Sequence, residues 1–305
     1  MRVDRCLTLG VFDPLRRIGS SATHWRLPIL MYHSISDDQE LGVHPYYRLA
    51  TNPQRFAEHM QWLTDAGYRG VALEEALHGC GKDTRASRRV VGITFDDGFR
   101  NFCTEAAPVL KRYGFTASMY LPTSFISEQR QSLHGKECLT WDEVKVLRAQ
   151  GIRFGSHTAT HPKLSDLPWN LIEHEVTVSK ACLEQELGEQ ITSFAYPYAF
   201  PQEDRRYSAR FTDVLRNCGY RNSVTTIIGC AHFGDDLLRL RRLPVNSDDD
   251  RALFLAKLNG SYDWLGMVQR VSRELKRWTT AYRHRSSVAK PCATAAVSSV
   301  ADVSL

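Results

Sequence analysis

Two short strings hold the side chains in this sequence that could do chemistry together. Thr94–Gly98 reads TFDDG and follows an apolar run, and Ser156–His161 reads SHTATH and places two imidazoles four residues apart. A catalytic Zn²⁺ takes three protein ligands, drawn from histidine, carboxylate and cysteine side chains, plus water. The strings offer two histidines and one aspartate for a metal, and they leave a second aspartate for proton transfer. Together they predict a metal-dependent hydrolase.

The four side chains divide into a metal face and a base. His157 and His161, at positions i and i+4, can face the same side of one helical turn. Asp97 is the natural third ligand, and Asp96 is then left to act as general base, kept ionised by the cation beside it. An isolated HxxxH pair is more often a surface or capping pair, and a lone Asp-Asp pair is more often a solvated turn. Their combination favours the metal site.

Alternating strand-like and helix-like segments run from Pro28 to Asn259. Seven or eight such β-α units in succession predict a parallel sheet with helices outside, closed into a barrel. Reactive groups of such barrels collect where the strands end. The predicted strands end beside every candidate side chain: Ile29–Tyr32 before His33, Val90–Phe95 before Asp96 and Asp97, Ile152–Gly155 before His157 and His161, and Ile191–Tyr196 before Tyr198. We therefore expect these residues at one rim.

Composition limits the class of protein. The chain has 305 residues, of which 43% are hydrophobic, and a net charge of +5 without a dense basic run, so a nucleic-acid partner is not expected. None of the eight cysteines forms a CxxC pair, which favours reduced thiols and a cytoplasmic location, with peripheral contact to the inner membrane left open. No apolar run approaches the roughly 20 residues that span a bilayer, so no transmembrane segment is expected.

Four regions are expected along the chain. Residues 1–27 show no clear pattern and are interpreted as a loose lead-in, and residues 28–259 form the barrel. Residues 260–285 read as a basic helix, and residues 286–305 lack periodicity and are expected to be disordered. The basic helix could contact an anionic membrane or exopolysaccharide machinery, although a solvated helix face is the ordinary interpretation.

The motifs resemble those of the polysaccharide deacetylases with a NodB homology domain, also called carbohydrate esterase family 4. The resemblance covers roughly residues 28–259 and rests on TFDDG at 94–98, on HTATH at 157–161 and on FAYPY at 194–198. It implies a distorted (β/α)₇ barrel, a divalent metal that is usually zinc, and hydrolysis of the N-acetyl amides of amino sugars. It also implies that Asp96 is the catalytic base and that Asp97, His157 and His161 are the metal ligands.

The sequence departs from the family pattern in two places. Ala195 stands where the family has an arginine that orients the catalytic aspartate, and Arg241 or Arg242 is the hypothesised replacement. The late Leu-x-His motif, which carries the general acid, is also missing. The string MYHS at 31–34 resembles the early histidine motif of the subgroup that includes the poly-N-acetylglucosamine deacetylases, which implies that His33 is the acid.

The remaining candidates concern the substrate. Pro197, Tyr198 and Arg242 are expected around the substrate and its oxyanion, with the Tyr198 backbone N–H as a donor. The predicted partner is an N-acetylated glycan or sugar precursor: a polysaccharide, an oligosaccharide or a lipid-linked sugar. Two alternatives stay open, namely a deformylase or other deacylase of an amino sugar and a non-catalytic saccharide-binding member of an exopolysaccharide assembly system.

Overall fold

Seven parallel strands close into a barrel in this computed structural model, which describes residues 2–19, 26–78 and 89–275. The main sheet has eight strands: β1 Ile29–Tyr32, β2 Arg69–Val71, β3 Val90–Phe95, β4 Ser118–Leu121, β5 Arg153–Ser156, β6 Ser193–Ala195, β7 Asn222–Ile228 and β8 Leu240–Pro244. Their order is β1-β8-β7-β6-β5-β4-β3, and β3 pairs back onto β1 to complete the ring. The predicted distorted (β/α)₇ barrel is confirmed.

The distortion lies at β3. On one side this strand pairs with β1 from Gly92 to Phe95. On its other side, β2 pairs with residues 90–92, and β4 takes over at Thr94 and Phe95. Five of the six residues of β3 are buried, as expected for a strand covered on both faces. The strand that carries Asp96 and Asp97 is therefore the most extensively paired in the barrel.

Helices cover the outside of the ring, and their ends follow local capping rules. Their bounds are Pro53–Asp65, Leu73–His78, Ala107–Arg112 after a π-helical turn at Phe102–Ala106, Trp141–Ala149, Trp169–Leu187, Arg205–Asn217, Arg251–Leu258, and residues 264–275. Asn52 is the N-cap of Pro53–Asp65, and its side chain accepts hydrogen bonds from the Gln54 and Arg55 amides. Thr140 and Glu143 form a capping box at the start of Trp141–Ala149.

Three short strand pairs and four 3₁₀ turns lie outside the main sheet in the described part of the chain. Arg26–Leu27 pairs with Ala231–His232, Ser34–Ile35 with Ala50–Thr51, and Ser132–Leu133 with Lys136–Glu137. Single 3₁₀ turns lie at Pro45–Tyr47, Thr123–Phe125, Leu164–Asp166 and Leu237–Arg239.

The expectation of a loose lead-in is wrong for residues 3–19. They form one continuous helical segment, α-helical at Val3–Leu7, π-helical at Thr8–Phe12 and α-helical again at Asp13–Gly19. Its fully buried side chains are polar and bond to the body of the protein, and Phe12 adds one stacking contact with Trp264. Because the buried positions are polar, the hydrophobic pattern did not reveal the segment.

The expectations for residues 260–305 can be compared with the structure only as far as residue 275. The basic helix predicted over 260–285 begins only at residue 264, after turns at 260–263, and is helical to 275. Residues 276–285 and the tail 286–305 lie outside the described residues. Within the described residues, every helix is too short or too polar to traverse a lipid bilayer.

Candidate functional site

The structure gathers the residues that the sequence singled out at the carboxyl ends of the barrel strands. Asp96 and Asp97 follow β3, His157 follows β5, and His33 follows β1. They line one cavity of about 380 Å³ together with His161. The convergence arises because parallel strands all end at the same rim.

Asp97, His157 and His161 form a compact cluster of potential metal ligands. The Oδ1 of Asp97 lies 3.4 Å from the Nε2 of His157 and 3.2 Å from the Nε2 of His161. One ligand atom from each residue falls within 4.8 Å of the others. All three side chains are almost fully buried.

The donor set fits a divalent cation. The Nδ1 of His157 donates to the Ala195 carbonyl at 2.7 Å, so in the neutral ring the Nε2 carries a lone pair and faces the Asp97 carboxylate. Two acceptors that face each other in a buried site need a cation or a proton between them. The Nδ1 of His161 is buried and has no hydrogen-bond partner among the described residues.

The pKa of each residue in the cluster depends on its burial and on its neighbours. Burial alone raises the pKa of Asp97, but the adjacent His157 and His161 side chains have the larger effect and hold that pKa well below its usual value. Burial alone lowers the pKa of His157. The nearby carboxylates of Asp96 and Asp97 have the larger effect, so the pKa of His157 is raised. Burial is the main reason that the pKa of His161 falls. The site therefore strongly favours an ionised Asp97.

The two histidines lie on a loop, so the expected helical turn is wrong. The loop begins after β5, and φ is positive at Thr158 (69°) and His161 (55°). The Glu175 carboxylate holds it from behind, because it accepts from the Ala159 and Thr160 amides at 2.8 Å and from the Thr160 hydroxyl at 2.7 Å. These local bonds replace the helical hydrogen bonds and bring both rings toward Asp97.

Backbone strain concentrates at this rim. Within the described parts of the chain, five non-glycine residues have positive φ: Asp97, His134, Thr158, His161 and Tyr198. Each costs of order 1 kcal/mol or more and persists only where the surroundings enforce it. Four of the five line the cavity, and Thr158 lies in the loop between His157 and His161.

Asp96 is bound by Arg242 from the last barrel strand. Nη1 donates to Oδ1 and Nη2 donates to Oδ2, both at 2.7 Å. The same guanidinium donates to the Thr225 carbonyl and to the Thr94 hydroxyl, and it is fully buried. Arg242 thus binds Asp96, the position hypothesised for the replacement of the missing arginine, and it does not lie on the cavity surface as a substrate contact.

Arg242 also sets the charge of Asp96. Burial by itself raises the pKa of Asp96, but the Arg242 guanidinium and the His157 imidazole outweigh it and hold the pKa below its usual value. Asp96 therefore remains a carboxylate at neutral pH despite being buried.

His33 faces Asp96 across the cavity. Its Nε2 lies 3.9 Å from the Oδ2 of Asp96, too far for a hydrogen bond. The imidazole remains accessible from the cavity, whereas the Asp96 carboxylate is buried.

Tyr198 lies against the cluster of Asp97, His157 and His161 on its outer side. Its ring centroid lies 4.8 Å from that of His161, and its hydroxyl lies 3.4 Å from the Nε2 of His134. Pro197 is buried behind it, and the Ala195 carbonyl that binds His157 belongs to the same stretch. The Tyr198 amide N–H finds no acceptor among the described residues.

Several residues of the rim escaped the sequence analysis. His134 lies in the two-residue turn between Ser132–Leu133 and Lys136–Glu137, with positive φ at both His134 and Gly135. The His-Gly pair is a turn signal that could have placed it. Glu175 and Arg273 each lie on a helix whose pattern gives no sign of a role, although Arg273 lines the cavity.

A family model and two curated relatives all indicate that the chain is related to polysaccharide deacetylases. The family model "Polysaccharide deacetylase" matches residues 83–223. The chain is 32% identical over 221 residues to YxkH of Bacillus subtilis, which is assigned by name to the polysaccharide deacetylases, and the match covers 72% of each chain. It is 23% identical to the poly-beta-1,6-N-acetyl-D-glucosamine N-deacetylase of Staphylococcus aureus, over 51% of this chain and 56% of that protein.

Solved structures share the fold. The Streptococcus pyogenes deacetylase PplD, in complex with acetate, superimposes with a TM-score of 0.65 at 27% identity, covering 77% of this chain and 99% of that one. IcaB from Ammonifex degensii superimposes with a TM-score of 0.62 at 22% identity, covering 77% of this chain and 97% of that one.

Proposed function

Because the chain belongs to the polysaccharide deacetylase family, we propose that it is a metal-dependent hydrolase that removes N-acetyl groups from the amino sugars of a glycan. The observation that carries the proposal is the position of the Asp97, His157 and His161 cluster in the same cavity as the Arg242-bound Asp96. A site built only for binding a saccharide has no use for both a buried ligand cluster and a carboxylate held ionised beside it.

Asp97, His157 and His161 would hold a divalent cation, with Zn²⁺ proposed on the chemistry of two imidazoles and one carboxylate. Such an ion supplies Lewis acidity toward the acetyl carbonyl and the attacking water. The Ala195 carbonyl orients the His157 ring by accepting its Nδ1–H, and Glu175 holds the loop that positions His161.

Asp96 is the proposed general base. Its two oxygens are fixed in direction by Arg242, so the carboxylate cannot rotate away from the cavity. Arg242 makes Asp96 a weaker base, and the carboxylate therefore remains unprotonated between turnovers. In return, the same pair holds the carboxylate in a fixed orientation.

His33 is the proposed general acid. It lies across the cavity from the base, and the 3.9 Å between its Nε2 and the Asp96 carboxylate leaves the two groups unbonded to each other. As an imidazolium it would donate a proton to the departing amine, which would otherwise leave as an unstable anion. The Tyr198 amide N–H is the proposed additional donor to the oxyanion.

The sugar itself would stack against the aromatic wall of the cavity. Tyr46 and Tyr47 lie on a turn at its edge, with their ring centroids 4.7 Å apart. We propose a glycan related to poly-N-acetylglucosamine, or its oligosaccharide or lipid-linked precursor, because one relative carries that activity in its name. The cytoplasmic location stays a prediction: the six described cysteines are free thiols.

A substrate panel tests this function. Purified protein is incubated with N-acetylated oligosaccharides before chelation, after chelation and after zinc is restored, and the products are scored by mass for loss of one acetyl group. We expect loss of acetyl that disappears with the metal and returns with zinc. Loss of formyl alone from N-formyl sugars would identify the deformylase. Glycan binding without acetyl loss by the protein to which zinc has been restored would identify the non-catalytic alternative.

A further inference from the structure

Arg273 is a cation of the cavity wall that comes from outside the barrel. It lies on the helix over 264–275, which follows the last barrel strand and contributes Gln269 and Arg273 to the cavity. The family model ends at residue 223, so this helix lies beyond the stretch that it matches. Its residues thus add to the site something that the matched part of the barrel does not supply.

Close packing fixes this helix against β7. Gly266 is buried, and a Cβ at that position would overlap the carbonyl oxygen of Ile228. The Gln269 side chain donates to the Thr226 carbonyl at 3.1 Å and accepts from the Ile228 amide at 3.2 Å. The next turn of the helix, which carries Arg273, therefore stands on a fixed support.

The charge of Arg273 has no counterion among the described residues. Its Nη1 donates to the Phe200 carbonyl, and this is its one hydrogen bond within the described ranges. Glu274, the adjacent acid of the helix, pairs instead with Arg270 at 3.4 Å. Most of the N–H donors of the guanidinium are thus still available, and their fork geometry fits the oxygens of a phosphate or a carboxylate.

The other charges of the cavity are already matched. Arg48, the second arginine of the described wall, pairs with Asp248 at 3.1 Å. Asp96 is bound by Arg242, and Asp97 faces the two imidazoles of the ligand cluster. The remaining guanidinium of the described wall therefore keeps an unbalanced positive charge.

The surroundings of this charge strengthen its attraction for an anion. Arg273 is only partly exposed, and the same cavity is lined by apolar side chains, among them Met31, Leu49, Ile228, Pro244 and Val245. An ion pair beside apolar groups is screened less by water than one on an open surface. A partly buried cation without a partner is also costly, and an anionic group of a ligand would offset that cost.

The charge of Arg273 acts on two tyrosines of the cavity wall. Burial raises the pKa of Tyr46 to about 12, and the positive charge of Arg273 opposes this rise. Burial also raises the pKa of Tyr196, again against the charge of Arg273. Tyr46 belongs to the proposed stacking surface, so a sugar stacked there would lie near the guanidinium.

We propose that Arg273 binds an anionic group, a phosphate or a carboxylate, that the glycan carries beside its N-acetyl sugar. The inference rests on the proposed function, because it assumes that the acetyl group lies at the ligand cluster of the same cavity. Since Arg273 and that cluster line one cavity, a single substrate can contact both. A phosphate-linked or uronic-acid-containing glycan would then bind better than a neutral one.

Binding of deacetylated sugars tests this proposal without turnover. Titration calorimetry with the zinc-loaded full chain compares glucosamine with glucosamine 1-phosphate, and a glucosamine–glucose disaccharide with a glucosamine–glucuronic acid disaccharide. We expect at least one anionic ligand to bind about tenfold or more tightly than its neutral counterpart. A preference in the first pair alone identifies a phosphate, and one in the second pair alone identifies a carboxylate.

Variants of two arginines on the same helix assign the preference. Arg273→Gln should reduce it to about threefold or less, and Arg273→Lys should keep part of it, because lysine retains the charge but loses the fork. Arg270→Gln is the matched control: Arg270 is 58% exposed and pairs with Glu274, and the variant should keep the wild-type preference. Circular dichroism of each variant confirms that it is folded.

Two results would overturn the proposal. One is equal affinity of the wild type for the charged and neutral ligands, and the other is a preference that survives in Arg273→Gln, since another cation would then hold the anion. Acetate release from neutral oligosaccharides, measured on the same preparations, separates this inference from the proposed function. Release without an anionic preference contradicts the inference alone, and an Arg273-dependent preference without release contradicts the proposed function alone.

Discussion

Arg242 and Asp96 meet through two parallel hydrogen bonds of 2.7 Å, and both side chains are buried. Arg242 comes from β8 and Asp96 follows β3, and both of these strands pair with β1, which lies between them. Ala195 occupies the place where the resembling family has an arginine, and the same charge arrives here from a strand far along the chain.

Removing the Arg242 fork should damage both activity and stability. Arg242→Lys keeps a charge but loses the bidentate geometry, and we expect turnover to fall by about 10²-fold or more. Arg242→Met leaves a buried carboxylate without a partner and should lower the free energy of unfolding by about 3–5 kcal/mol. Turnover and denaturant unfolding measure the two effects.

The neighbouring arginine provides the control. Arg241 precedes Arg242 in the same strand, and adjacent strand residues point to opposite faces. Arg241→Lys should retain nearly full turnover. If Arg242→Lys were as active as Arg241→Lys, the orientation of Asp96 would not depend on the fork.

His33 is predicted to act on the leaving group. His33→Gln should reduce deacetylation of an amino sugar by about 10²–10⁴-fold, since protonation of the amine is lost. The same variant should hydrolyse an aryl acetate almost normally, because a phenolate leaves without a proton. Metal content should be unchanged. An equal loss on both substrates would show that His33 serves another step, and His232→Gln, in the short strand Ala231–His232, is the control.

Glu175 is predicted to act as a positioning residue for the histidine loop. Glu175→Gln removes the negative charge and keeps one oxygen, which can accept from both loop amides, so the Thr160 hydroxyl loses its acceptor. We expect the affinity for zinc, measured by competition with a chelator, to fall by about 10–100-fold. Glu173→Gln changes an exposed residue of the same helix and should not alter zinc affinity. Equal affinities in the two variants would show that the loop holds its shape without Glu175.

His59 should make the protein less stable in acid. Burial lowers the pKa of His59 to about 4, and its ring stacks on Phe254, with the Tyr32 hydroxyl on one nitrogen and the Asp249 carbonyl on the other. The fold therefore favours the neutral ring. Its contribution is fully present above the unfolded pKa of about 6.5 and is lost as the pH falls toward 4, for a total of order 3 kcal/mol.

Unfolding by denaturant at pH 7.5 and pH 5 measures this dependence. His59→Gln should be less stable than the wild type at the higher pH and should lose less stability between the two values. The other titrating groups are common to both proteins and cancel in the comparison. A pH dependence identical in both proteins would contradict the assignment.

The sequence predicted most of the barrel because its signals are local. The predicted strand Val90–Phe95 has the same bounds in the structure, and its residues are buried apart from the first. The rim could be predicted because the carboxyl ends of parallel strands lie at the same end of a barrel. His33 and Asp96 were therefore expected at one rim although they are far apart in the sequence.

The errors have a common physical origin. The sequence analysis placed His157 and His161 on a helical turn. They lie on a loop instead, which has positive φ at Thr158 and His161 and is held by the Glu175 carboxylate. Residues 3–19 were taken as a loose lead-in because their apolar side chains do not face the core. In both cases a contact distant in sequence decided the local structure, and no local pattern reports such a contact.

Comparing the wild type with Asp96→Asn, with zinc content and acetate release measured on the same preparations, tests the central claim most directly. Asparagine keeps the shape of the side chain but cannot accept the proton from water. The account predicts that Asp96→Asn binds zinc as the wild type does and releases no acetate from N-acetylglucosamine oligosaccharides. Near-normal acetate release by the variant with full zinc content would contradict it.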